Sequence, residues 1–555
     1  MMRFANLWIP AILVLGACAD MGATSEAPTG GGGGNVSFGG AQDMGQFRAM
    51  LERGEVPGPD TLDANGFFNE HFNAIPPNTC SGELCLTPGI SIGRDWLTGK
   101  HQATLQIAVT TPRDPSEFPR LPMNLVVVVD HSGSMASDSR LVKVKTGLHT
   151  LVDNIDDGDR ISIISFDDVV TIDAPFTDTL DRAKLHTAIE GLQPRGGTNI
   201  YEGLRQGFTM LGEYPESVRQ NRVIFLSDGL ATVGDTSQAN ILALARDWIR
   251  RGIGLTTIGV GNDFDVALMR GLAENGAGNY YFLEDAAAAS EVFTEELDFF
   301  MTPLALDINI EAIAGSGWTL GEVVGSRIWS AGSTRGSMTI PAAFVASRTS
   351  QEPGEGRRGG GSMIFIHLEP TADADTKIAD LRLSYRVPGT TETITQNVAL
   401  DYAADPLETP DDPYLSGAEM AERFAMYNLF LGFRAATNTY DGSCAAAALL
   451  ATRANAAAWA ERHADPDIDA DLVLLDQFVT NLRNHGATSE RELATCPSAD
   501  DPYGDPGYGE DYYGDGYGHG PGCMSASKGG TGWLLAALAT LFVARRRRPR
   551  SARRS

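Results

Sequence analysis

Basic residues are scarce in this 555-residue chain: 43 Lys and Arg stand against 71 Asp and Glu, a formal charge of −28. That balance excludes a general nucleic-acid binder, whose phosphate contacts need clustered Lys and Arg. The one basic cluster, Arg545–Arg548 with Arg550, Arg553 and Arg554, sits at the extreme C-terminal end. Two apolar runs stand out, 11 residues at Leu7–Ala17 and 13 at Gly532–Ala544. Both fall short of the roughly 20 residues that span a bilayer as helix, which excludes a polytopic membrane protein. Cysteine is sparse, with 6 residues, and Cys80-x4-Cys85 lacks the second pair or His cluster of a zinc site. The hydrophobic content of 43% is ordinary for a globular protein. The length allows three or four domains with substantial cores.

The two ends read as addresses. In residues 1–18, Arg3 precedes the short apolar run, the anatomy of a signal peptide. Leu15-Gly16-Ala17-Cys18 resembles a bacterial lipobox, which implies a lipidated Cys18 at a mature N-terminus; the alternative is an ordinary signal peptide with an incidental cysteine. Residues 19–40, with five consecutive glycines at Gly30–Gly34, read as a flexible linker. At the other end, 499–522 is rich in Gly, Asp and Tyr and holds six acids but no Lys or Arg, so it reads as a solvated spacer. Residues 523–555 run from Cys523 through the short apolar segment to the Arg block. That layout resembles the C-terminal sorting tags of myxobacterial surface proteins, and the alternative is a plain tail anchor. Both ends predict export, with the protein on the outer membrane or cell surface, lipid-anchored. The remaining cysteines fit an oxidising compartment, and proximity favours pairing Cys80 with Cys85 and Cys444 with Cys496.

From Asn124 the pattern changes. Leu125–Val129 is an unbroken apolar, mostly β-branched run, the mark of a strand buried on both faces. Helical spacing at Leu141–Ile155 follows, then strands at Arg160–Phe166 and Val169–Ile172 and helices at Ala183–Leu192 and Ile200–Leu211. Strands at Val223–Leu226, Gly254–Val260 and Tyr280–Leu283 then alternate with helices at Ala239–Arg251, Val266–Glu274 and Ala286–Phe300. This predicts an α/β fold, a doubly wound, mainly parallel sheet. Ligands of such sheets bind at the carboxyl ends of the strands. Three loops fall there: Asp130-His131-Ser132-Gly133-Ser134, Gly196-Gly197-Thr198-Asn199, and Ser227-Asp228-Gly229. Carboxylates and hydroxyls make a hard, oxygen-only site, suited to Mg²⁺, with Ca²⁺ or Mn²⁺ as alternatives, rather than zinc.

The order D-x-S-x-S, Gly-Gly-Thr-Asn, Ser-Asp-Gly resembles the von Willebrand factor type A domain and its metal-ion-dependent adhesion site, over 124–300. The resemblance implies that Asp130, Ser132, Ser134, Thr198 and Asp228 hold a divalent cation. It further implies that a protein partner completes the coordination with an Asp or Glu. A lone D-x-S-x-S is weak, since Asp and Ser also cap helices; three loops in order, each at a strand end or helix start, are strong.

Residues 41–123 contain Phe47–Pro57 and Phe67–Phe72, which look like the segment preceding this domain in a subgroup of bacterial relatives, although His71-Phe72 departs from that motif. The alternating run Ala103–Val109 reads as a strand. Alternating runs at Leu306–Ile313, Ser337–Phe344, Met363–Leu368, Leu381–Tyr385 and Thr391–Leu400 predict a β-sandwich over 301–403. Whether the strand near Leu105 joins it, making the α/β domain an insertion, stays open. Residues 414–496 read as a small helical bundle, opened by a capping box at Ser416-x-x-Glu419. Three motifs are discounted. Gly93–His101 is one residue too long for a phosphate loop. The run Asp465, Asp467, Asp469, Asp471, Asp476 lacks the calcium-loop glycine and reads as a helix start. His131 beside Ser132 has no oxyanion motif, so no catalytic residue is expected. The expected function is metal-dependent protein binding at the cell surface, with an envelope assembly or scaffold factor as the alternative and a metal-dependent hydrolase as the lesser one.

Overall fold

The computed structural model describes residues 34–496 apart from 74–79, 114–121, 178–179, 215–218, 250, 262–263, 277, 284–291, 294–302, 347–351, 355, 489–490 and 492. The signal peptide, lipobox, spacer and sorting tag, with Cys18 and Cys523, lie outside these residues, as does most of the expected helix Ala286–Phe300. The chain enters through β1 (Gly34–Ser37), β2 (Gly40–Ala41), α1 (Gly45–Glu52), α2 (Ala64–Asn69), β3 (Cys85–Arg94) and β4 (His101–Thr111). The linker assigned to 19–40 therefore ends earlier than its glycine content suggested. Val36 is fully buried and Asn35 Nδ2 donates to Gly359 O at 2.9 Å, so long-range pairing overrides local composition.

The α/β unit follows: β5 (Met123–Asp130), α3 (Arg140–Asn154), β6 (Arg160–Phe166), β7 (Val170–Ala174), α4 (Arg182–Gly191) and α5 (Ile200–Gly212). It continues with β8 (Gln220–Ser227), α6 (Gln238–Ile249), β9 (Ile253–Val260), α7 (Val266–Asn275) and β10 (Asn279–Leu283). The sheet order is β2-β10-β9-β8-β5-β6-β7, with only β7 antiparallel to its neighbour. Alternation within β5 explains the unbroken run. Leu125, Val127 and Val129 pack with Leu141, Val144 and Leu148 of α3. Val126 and Val128 pack with Leu204 and Phe208 of α5. The chain leaves β5 towards β6 on one side and leaves β8 towards β9 on the other. The topological switch point, where doubly wound sheets open a crevice, thus falls between β5 and β8.

The remaining strands are β11 (Ala305–Ala314), β12 (Trp318–Val324), β13 (Arg335–Val345), β14 (Met363–Pro370), β15 (Lys377–Arg386), β16 (Thr393–Asp401) and β17 (Tyr414–Leu415). One leaf runs β17-β3-β4-β14-β12 and the other β13-β11-β15-β16, with β1 pairing both β4 and β13. Their facing side chains, among them Leu105, Ile107, Ile310, Ile340, Ile366 and Leu383, form one core. The sandwich is therefore not confined to 301–403. It recruits β1, β3 and β4, and the α/β unit is inserted between β4 and β11. β3 escaped the sequence reading because Pro88, Gly89 and Gly93 interrupt it. Gly89 makes room for Met420: a Cβ there would lie 2.1 Å from Met420 Sδ, and that side chain would have to move.

Three helices, Met420–Thr437, Gly442–Ala460 and Pro466–Asn484, cover the outer face of the first leaf together with α1 and α2. Phe47 meets Phe433 and Phe478, each with ring centroids at 5.7 Å, so the N-terminal segment belongs to the helical layer. The capping box is not formed. Ser416 Oγ instead accepts from Ile90 N of β3 at 2.8 Å, and the first helix begins after Glu419 without a side-chain cap. Asp465 caps the third helix through Asp467 N and Ile468 N. The chain also closes Cys80–Cys85 and Cys444–Cys496 disulfides.

The layer is locked by buried charge. His71 Nε2 lies 2.9 Å from Asp471 Oδ2, both side chains being almost wholly enclosed. Burial alone would push the imidazolium down, but Asp471 and Asp467 overcome it and hold His71 up at about 10. Breaking such a pair by removing one partner costs about 3–5 kcal/mol. Because the folded value lies above that of the free imidazole, the stabilisation is complete below about pH 6.5 and fades as pH rises towards 10. Burial likewise raises Glu422 to about 8, so the folded state gives up that proton late and loses stability as pH rises from about 4.5 to 8. Denaturant titrations from pH 6.5 to 10 should show falling stability, and His71→Gln should lower stability at pH 6.5 and flatten the profile. An unchanged profile in the variant contradicts this account.

Candidate metal centre

β5 delivers Asp130 to the switch point fully enclosed. Its Oδ1 accepts from Ser132 N at 2.8 Å and its Oδ2 from Ser227 Oγ at 2.6 Å. The second bond crosses from β5 to β8, whose register sets Val129 beside Leu226. The two strands therefore present Asp130 and Asp228 together. Ser132 Oγ contacts Ser134 Oγ at 3.0 Å, and Ser134 Oγ donates to Asp228 Oδ1 at 2.8 Å.

Thr198 arrives from the loop before α5. Gly133 N donates to Gly196 O at 3.1 Å and Arg195 N to His131 O at 2.7 Å, which sews this loop to the first. Gly196 has a left-handed φ of +67°, and a Cβ there would meet Asp168 Oδ2 at 2.8 Å, so glycine is needed twice over. Thr232 Oγ1 accepts from Thr198 N at 2.9 Å, while Asn199 caps α5 through Glu202 N. Thr198 Oγ1 and Asp130 Oδ2 both face Gly229, at 3.5 and 3.8 Å from where its Cβ would stand. Asp130, Ser132, Ser134 and Asp228 are thus joined in one hydrogen-bonded chain, with Thr198 beside it.

Burial, aided by the charge of Asp228, pushes the Asp130 carboxyl up to about 6 against the opposing Ser227 and Ser132 hydrogen bonds. The sequence reading missed Arg140, whose Nη1 donates to Asp228 Oδ2 at 2.8 Å with the guanidinium almost fully enclosed. Arg140 opens α3, where a cation opposes the helix dipole. That misplacement was the available signal. Asp138 and Ser139, just before it, take left-handed φ of 48° and 57°, strained for non-glycine residues.

The donor set fits a hard divalent cation: five side chains, all oxygen, two of them enclosed carboxylates of which one resists ionisation. Asp130, Ser132, Ser134, Thr198 and Asp228 would hold it. Ser132 spends its hydroxyl on Ser134, and His131 bonds Gln193 O through Nδ1 at 2.9 Å, so these neighbours form no nucleophile–base pair. The Gly93–His101 stretch is the β3–β4 hairpin. Glu422, Asp465 and Asp467 also gather within 4.8 Å of one another. Asp467 already faces Arg358 Nε at 2.6 Å and accepts from Phe72 N at 2.7 Å, consistent with a structural role.

Residues 124–295 match the family model of the von Willebrand factor type A domain, so the chain carries such a domain. It is 29% identical over 286 residues to the uncharacterized protein YfbK of Escherichia coli K12, covering 49% of this chain and 48% of that protein. It is 31% identical over 195 residues to the uncharacterized protein sll0103 of Synechocystis, covering 35% and 45%. The chain thus spans about half the length of these curated relatives. Among solved structures, a von Willebrand factor type A protein from Catenulispora acidiphila is similar at 15% identity and TM-score 0.47, covering 70% of this chain and 89% of that one.

Arg140 supplies positive charge that a bound cation would share. Arg140→Gln should lower the melting temperature without divalent ions and enlarge the rise produced by millimolar Mg²⁺. Scanning calorimetry reads both, and an unchanged Mg²⁺ response would show that Arg140 does not communicate with the site.

Proposed function

We propose that the protein is an exported, surface-attached binding module that holds a protein ligand through a divalent cation, Mg²⁺ before Ca²⁺ or Mn²⁺, completed by an Asp or Glu of the partner. The observation that carries this reading is the oxygen-only cluster at the switch point, whose rim is open: Ser134 is exposed, and Leu230, in the loop after Asp228, is 57% exposed. With three hydroxyls among its donors and one carboxylate paired with Arg140, a bound cation would keep net positive charge, and a partner carboxylate would gain a charge-assisted bond. The two disulfides suit an oxidising compartment. Membrane attachment would come from a lipid on Cys18, from the segment at Cys523, or from both. The sandwich and helical layer would present the α/β unit as an insertion on a rigid base.

Thr198→Ala removes one hydroxyl donor and no charge, so the fold should survive it. Pull-downs from envelope fractions should recover a partner with wild type in Mg²⁺, lose it in chelator, and lose at least about tenfold in affinity (~1.4 kcal/mol) with Thr198→Ala. Capture that is indifferent to chelator and to Thr198→Ala would contradict the proposal.

A further inference from the structure

Away from the candidate centre, α3 and α4 lie against each other and present a histidine each. His149 Nδ1 and His186 Nδ1 face one another at 2.6 Å, with the ring centroids 4.9 Å and the ring planes 28° apart, so the rings meet edge to edge. The outer nitrogen of each ring meets a carboxylate. His149 Nε2 lies 2.9 Å from Glu190 Oε1, and His186 Nε2 lies 3.1 Å from Asp153 Oδ1. Lys145 Nζ approaches Glu190 Oε2 at 3.8 Å. Both imidazoles are partly open to solvent, at 27% and 32%.

The hydrogen-bond inventory constrains what can sit between the rings. A carboxylate only accepts, so the tautomer that satisfies both outer contacts places hydrogen on each Nε2. Neutral rings then turn two lone pairs towards each other across 2.6 Å, a repulsive contact. A positive centre relieves that contact: a shared proton at this separation, or a metal ion once the rings move apart. Carboxylates on the outer nitrogens are also the arrangement that fixes and activates metal-bound histidines. We propose that His149 and His186 form a second metal site, for a borderline transition ion such as Zn²⁺, that fastens α3 to α4. At Zn–N distances of about 2.0–2.1 Å, two tetrahedral nitrogen ligands stand about 3.3 Å apart. The rings would part slightly, and water would fill the outward positions. Nitrogen ligands separate this site from the oxygen-only cluster, which favours Mg²⁺.

The test uses the full chain and Zn²⁺ as probe, in millimolar Mg²⁺ and in a Thr198→Ala background, so that the oxygen cluster does not contribute. One equivalent of Zn²⁺ should be retained in equilibrium dialysis. His149→Ala with His186→Ala should abolish it, and Glu190→Gln should weaken it about 10–100-fold. Imidazole ¹⁵N spectra should show Zn²⁺ moving the Nδ1 resonances and not the Nε2 ones. Equal Zn²⁺ retention in the double variant, or Nδ1 resonances that respond to pH but not to Zn²⁺, would overturn the proposal in favour of a proton shared between the rings.

Discussion

Two like charges confined at one point of a parallel sheet govern the arrangement of this protein. The β5–β8 pairing sets Asp130 and Asp228 side by side where water is excluded, and neither carboxylate can be placed there without compensation. The molecule answers in several ways: hydroxyl and amide donors from Ser132, Ser134 and Ser227, a guanidinium from Arg140, and a proton affinity in Asp130 held up at about 6. Each of these relieves the repulsion only in part, and a cation among the oxygens would complete the relief.

The rest of the architecture serves to hold that edge still. Because β4 and β11 belong to one sandwich, both ends of the inserted α/β unit are tied to the same rigid body. The outer helices brace the first leaf, and the N-terminal helices are stitched to them by the Phe47 contacts and the His71–Asp471 pair. A chain running back and forth among three layers ties the stability of each to the others. Arg222, near the start of β8, lies over Phe344 of the sandwich, while the candidate centre sits at the other end of that strand with Ser134 exposed on its rim.

Much of this was legible in the sequence, for physical reasons that differ by element. β5 announced itself because burial on both faces removes alternation, and the sandwich strands because burial on one face imposes it. The convergence of the three loops of the candidate centre was readable because each joins a strand end or helix start to oxygen-bearing residues. What failed was whatever depends on distant partners. β1 hid behind the glycine run and is made a strand by its pairing with β4 and β13. β3 hid behind Pro88 and its glycines, of which Gly89 faces Met420 and Gly93 faces Pro413 and Phe424. Ser416 matched a local capping pattern but serves Ile90 instead. Arg140 carried no motif, and its role follows only once β8 brings Asp228 within reach of it.

The most direct measurement is anomalous diffraction from crystals grown with Mn²⁺. The account predicts a single strong peak ringed by Ser132 Oγ, Ser134 Oγ and Thr198 Oγ1, with the Asp130 and Asp228 carboxylates bound directly or through water, and lost in Asp228→Ala. Crystals with Mn²⁺ elsewhere and an unchanged Ser134–Asp228–Arg140 chain would contradict it.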